Sequence, residues 1–128
     1  MVISFYIDTM DEDCTVYKTM EYLSKKWSLI ILLEIYKGKY NLKRYSEIKK
    51  NIPNISPKIL SSRLKELETE GIINKKIDTS SFPVKCEYSL TRSGEDFINI
   101  IKNIKDWSLK WKIKNQICEE RNCKDCDL

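Results

Sequence analysis

The chain has 128 residues, enough for one hydrophobic core with short attachments and too few to add a second catalytic domain. Its composition, 41% hydrophobic and 33% charged, is that of a soluble folded protein, and with no histidine it excludes Ser-His-Asp triads, Cys-His pairs and every histidine-containing metal site. The net charge of +4 is uneven: residues 37–92 hold thirteen basic and six acidic side chains, residues 1–36 three and six, and residues 93–128 seven of each.

That central excess suits a polyanion, whose neutralised phosphates release counterions, and it equally suits a solvated basic face. The three glycines form neither a GxGxxG nor a P-loop cradle, so common enzyme constellations are missing. No apolar run approaches the roughly 18 residues of a membrane span.

In chain order, residues 1–7 are apolar but lack a basic leader and a small-residue cleavage site, and no export signal is expected. The first predicted helix covers residues 15–23, with Val16, Met20 and Leu23 at helical spacing and Asp13 or Cys14 placed to begin it. Residues 27–37 are apolar on nearly all sides and predict a buried central helix, with Gly38 expected as a left-handed cap. Residues 44–50 predict a short helix with Tyr45 and Ile48 inward, and Pro53 then forces a tight loop over residues 52–55.

Ser56-Pro57 is a strong helix start, because serine can accept from free backbone N–H groups and proline at the first position needs no donor. The helix runs to Gly71 with Leu60, Leu64 and Leu67 on one face and Lys58, Ser62, Lys65 and Thr69 opposite. Arg63, at the flank of the apolar stripe, is expected to pack its stem and pair with a carboxylate. Residues 73–77 and 85–90 predict two strands, joined by a turn-rich segment into a hairpin. Thr91 then caps a long helix in which Phe97, Ile100, Ile104, Trp107 and Trp111 follow alternating steps of three and four, the spacing of a helix-pairing seam that needs a partner.

Three helices, a hairpin and a long last helix describe a mainly α, α+β winged helix-turn-helix with a two-stranded wing. In that arrangement the helix starting at Pro57 enters the major groove of double-stranded DNA. The residues expected to meet DNA are Ser56, Lys58, Ser61, Ser62 and Lys65, together with Lys75, Lys76 and Lys85 beside the Thr79-Ser80-Ser81 tip of the wing. The domain is expected to occupy residues 1–117, and residues 118–128 form a cysteine-containing tail.

These residues resemble the HxlR-type regulators of the MarR-like superfamily. The pattern comprises Lys26-Trp27 before the apolar helix, Arg44-Tyr45-Ser46-Glu47-Ile48, residues 52–58, Arg63-Leu64-Lys65-Glu66-Leu67-Glu68, Gly71-Ile72, Glu87-Tyr88-Ser89-Leu90-Thr91 and Gly94. The chain departs from it at Ser24-Lys25, where the family commonly has glycines, and at Thr15, where proline is frequent. The resemblance implies a cytoplasmic homodimer formed by the first and last helices, which binds a roughly palindromic operator and often answers electrophiles, oxidants or other stress. Cys14 matches the family's N-terminal cysteine, which in some members senses oxidants or electrophiles and whose thiolate a helix N-terminus would favour; a buried, unreactive thiol is the alternative reading of the same residue.

Five cysteines without an export signal point to a reducing compartment. Cys86 lies on a predicted strand as a small core residue. Cys118, Cys123 and Cys126, spaced C-x4-C-x2-C in a charged tail, fit a zinc or iron–sulfur site completed by Cys14, a carboxylate or a partner's cysteine; they fit a disulfide switch or no specific role equally well. A winged helix that assembles with proteins without reading DNA is the competing function, and thiol redox catalysis is the weakest.

Overall fold

The computed structural model describes residues 14–80 and 82–126. The reading of residues 1–7, Asp13 as a helix start and Ser81 of the wing tip lie outside them.

Helices α1 (Thr15–Leu23) and α2 (Ser28–Lys37) are followed by a 3-10 turn (Lys39–Asn41) and a short strand β1 (Leu42–Arg44). Then come α3 (Tyr45–Asn51), α4 (Pro57–Thr69), strands β2 (Ile73–Asp78) and β3 (Lys85–Leu90), the long α5 (Arg92–Trp111), α6 (Gln116–Glu120) and a second 3-10 turn (Cys123–Asp125). The sheet is antiparallel with order β1-β3-β2, so the expected hairpin carries a third strand. Leu42 pairs with Ser89 and Arg44 with Glu87 on one edge of β3, while Ile73 pairs with Leu90 and Asp78 with Lys85 on the other. Three residues are too few to show the alternation from which strands are read.

The core forms around α2, whose Ile31, Leu32 and Ile35 are fully buried, as expected of a helix apolar on nearly all sides. Against it lie Ile48 of α3, the Leu60-Leu64-Leu67 stripe of α4, Ile73 and Tyr88 of the sheet, and Ile98 and Ile101 of α5. Thr91 caps α5 by accepting from the Gly94 N–H. Its hydroxyl also donates toward the Gly71 and Ile72 carbonyls, which fixes α5 to the exit of α4.

Gly38 is not the left-handed cap the sequence suggests. Its backbone is extended (φ −70°, ψ 154°), and glycine is required because a Cβ would sit 1.9 Å from the Leu42 carbonyl oxygen. Left-handed backbone falls instead at Gly71, Trp27, Tyr40 and Asn41. Cys86 is half-buried against the core, close to its expected place.

The described part of the tail packs back onto α2. Lys124 Nζ donates to the carbonyls of Tyr36 and Gly38 and, at 2.7 Å, to Asn41 Oδ1, with its ammonium 4.7 Å from the centre of the Tyr36 ring. The last carbonyls of a helix lack intrahelical donors and carry the negative end of its dipole, so an ammonium there satisfies both needs.

One charged group, Glu34, interrupts the buried face of α2. Its Oε2 accepts from Lys43 Nζ at 2.8 Å and from Asn51 Nδ2 at 3.1 Å, and Lys37 Nζ lies 3.6 Å from Oε1. Burial works to raise this carboxyl's pKa. The hydrogen bonds from Lys43 and Asn51, with the charges of Lys43 and Lys37, outweigh it and hold the group below its ordinary value of 4.5. A carboxylate with a depressed folded-state pKa stabilises the fold at neutral pH and loses that contribution as pH falls through its lowered value. Glu34→Gln leaves Lys43 buried without its counter-charge and should cost about 3–5 kcal/mol at pH 7 by urea unfolding. The gap from the native protein should narrow as pH drops below 4.5.

Candidate nucleic-acid interface

Helix α4 is built as the sequence predicts. The exposed Ser56 has extended backbone and its hydroxyl accepts from the Ile59 N–H at 3.2 Å, while Pro57 opens the helix. Leu60, Leu64 and Leu67, all fully buried, fix which face turns inward. Lys58, Ser61, Ser62 and Lys65 are consequently exposed together on the outer face, a combination of cationic tips and short hydroxyls that lets a polyanion approach the helix closely.

Arg63 is half-buried, as its flanking position predicts, but among the described residues it pairs with no carboxylate. Its Nε donates to the backbone carbonyl of Lys26 at 3.1 Å, and the neighbouring Glu66 is taken by Lys25, 2.5 Å away. The acceptor belongs to a bend in the main chain between α1 and α2, which side-chain composition does not reveal.

The three wing lysines do not form one patch. Strand alternation turns Lys75 to the face of Ile73 and Ile77, and Lys76 to the opposite one. Lys85 pairs across the ladder with Asp78 and so shares the face of Lys76, which also carries Glu87 opposite Lys76. Two lysines and two carboxylates therefore mix on that face. Asp78 accepts from the Ser80 hydroxyl and N–H, and these hydrogen bonds lower its pKa, with smaller contributions from Lys85 and Lys76. The wing also has an apolar end that a count of lysines does not anticipate: Phe82 is 98% exposed, and Ile77 and Val84 are also open. The sole sequence signal is apolar residues next to turn formers.

The seam on α5 is largely uncovered within one chain. Phe97 is half-buried against the core, whereas Ile100, Ile104, Trp107 and Trp111 are exposed, Trp111 to 65%. Val16, Tyr17 and Met20 of α1 are exposed as well, and a groove of about 330 Å³ between α1 and α5 has almost wholly apolar walls.

Cys14 is exposed immediately before α1, and Cys118, Cys123 and Cys126 are half-buried. No disulfide joins the described cysteines, and among the described residues no group of three Cys, Asp or Glu is gathered to hold a metal ion. Among the described residues, then, no ligand set for zinc or an iron–sulfur cluster is assembled. No helix among the described residues is long and apolar enough to cross a membrane.

Comparison with known proteins places this architecture. The HxlR-like helix-turn-helix family model matches residues 22–116. The HTH-type transcriptional regulator YvaP of Bacillus subtilis (strain 168) is 38% identical over 94 residues, covering 73% of this chain and 83% of YvaP. Among solved structures, a MarR-family transcriptional regulator from Porphyromonas gingivalis W83 superposes with a TM-score of 0.68 at 38% identity, covering 78% of this chain and 94% of that one. The reduced form of the regulator YodB from B. subtilis superposes at 0.67 with 30% identity, covering 80% and 98%. Fold, motif and relatives agree that this chain, a transcriptional regulator and not an enzyme, belongs to the HxlR-like helix-turn-helix family.

Proposed function

We propose that the chain acts in the cytoplasm as a homodimer that reads a roughly palindromic operator, with α4 of each protomer in the major groove and the wing alongside. The observation that carries this reading is α4 itself: capped at Ser56, held by a buried leucine stripe, and presenting Lys58, Ser61, Ser62 and Lys65 outward. A major groove admits one α-helix, and its base edges distinguish all four base pairs. Lys75, Lys76 and Lys85 serve as phosphate contacts, and the mixed charges around Lys76 and Lys85 make the wing secondary to α4.

Fluorescence anisotropy with the DNA upstream of its own operon should show binding that weakens steeply with salt and exceeds binding to random duplex. Charge reversal at both Lys58 and Lys65 should lower affinity at least about tenfold and flatten the slope of log K against log salt by about 2. Unchanged affinity would instead favour the protein-assembly role.

The dimer is supported by the exposed Ile100, Ile104, Trp107 and Trp111, a contiguous apolar stripe of the kind that marks a protein–protein interface. Phe97 backs it from the core side. Sedimentation should give a dimer at micromolar concentration, and Trp107→Asp should give a monomer. A stable native monomer would refute the assignment.

A thiol-based response belongs to the same reading. YodB has been solved in a reduced and in a diamide-treated form. Here Cys14 is exposed at the start of α1, beside the apolar face that the dimer would use. Treatment with diamide should change DNA affinity in the native protein, and replacing Cys14 by serine should abolish the change. A native protein indifferent to diamide excludes this response.

A further inference from the structure

Helix α4 is fastened on its inner flank to the corner between α1 and α2, at residues 24–27. Trp27 occupies left-handed backbone (φ 84°), a conformation rare for a bulky residue, and it separates the two helices. The corner is stitched internally: the Ser28 N–H donates to the Lys25 carbonyl at 3.2 Å, and Ser28 Oγ to the Tyr22 carbonyl at 3.1 Å. The Lys26 carbonyl accepts from Arg63 Nε at 3.1 Å. One helical turn along, Lys25 Nζ meets Glu66 Oε2 at 2.5 Å, and the other oxygen of that carboxylate is buried with no hydrogen-bond partner among the described residues. Glu66 is thereby committed to Lys25.

Arg63 and Glu66 sit three residues apart on α4: Arg63 lies beside the leucine stripe and across the helix from Lys58 and Lys65, and Glu66 lies one turn beyond Ser62, between Arg63 and the outward face. Apolar packing holds α4 to the core but is non-directional, whereas a guanidinium bonded to a fixed carbonyl defines an angle. The corner continues directly into α1, whose Val16 and Met20 line one groove with Ile100 and Ile104 of the stripe assigned above to the dimer. A dimer reading two half-sites must keep its two recognition helices at a fixed separation, about 34–36 Å centre to centre on B-DNA.

We infer that Arg63, supported by the Lys25–Glu66 pair, is a positioning residue for DNA recognition: by tying α4 to the carbonyl of Lys26 it sets the pitch and separation of the two recognition helices in the dimer. This rests on the homodimer and operator proposed above.

The full-length reduced protein is compared with Arg63→Met, which keeps the stem and loses the donor, and Arg63→Lys, which keeps a donor and the charge. The probes are duplexes enriched by the native protein from a random pool, with the half-site spacing then changed by one or two base pairs. Arg63→Met should stay folded and dimeric with at most a small drop in urea midpoint, should keep the salt slope and the affinity for random duplex, and should lose about tenfold in its preference for the enriched spacing, the scale of one directional hydrogen bond. Arg63→Lys should recover most of that preference. A spin label on p-acetylphenylalanine at position 62 gives a second readout without DNA: the inter-protomer distance distribution should broaden in Arg63→Met. An unchanged spacing preference, or an unchanged distance distribution, overturns the inference. If the native protein enriches no duplex, the operator reading fails and the distances decide the positioning role alone; a monomeric native protein overturns both.

Discussion

A helix that is apolar on nearly every side must be covered on every side, and α2 imposes that demand on the rest of the chain. Helices α1, α3, α4 and α5, strands β1 and β3, and the Cys123–Asp125 turn all lie against it. The exception within the shell, Glu34, becomes a fastening: its partners Lys43 and Asn51 come from β1 and from the end of α3. The entry to the helix-turn-helix is therefore held to the central helix by directional contacts as well as by burial.

What the sequence showed clearly were features whose causes are local. Ser56-Pro57 starts α4 because the serine oxygen and the proline ring act within one turn, and Thr91 starts α5 in the same way. The leucine stripe is a matter of period. Features decided by tertiary contact were invisible or misread. Strand β1 is three residues that become a strand only beside β3. Gly38 looks like a helix cap, but the approach of the Leu42 carbonyl is what requires it. Arg63 has carboxylates near it in sequence, yet its acceptor is a carbonyl at the left-handed bend of Trp27.

The candidate interface divides along the same line. On α4 the outward set followed from helical period, and burial of the leucines leaves Lys58, Ser61, Ser62 and Lys65 in water together. On the wing a lysine count could not anticipate pairing. Register decides that Lys85 keeps company with Asp78 and Lys76 with Glu87, so the charge on that face of the wing is balanced, while Lys75 stands on the other face among apolar residues and Tyr88. The same contrast holds for the cysteines of the tail, whose spacing suggests a ligand set that the described residues do not gather.

The Lys124 ammonium has a consequence for where this domain ends. The family pattern stops at residue 116, yet the carbonyls of Tyr36 and Gly38 at the end of the central helix are satisfied by a side chain eight residues further on. A chain shortened to the shared boundary would hand those two acceptors back to water and uncover one face of the Tyr36 ring. In this protein the segment around Lys124 covers the end of the central helix, although it lies beyond the residues that the family pattern matches.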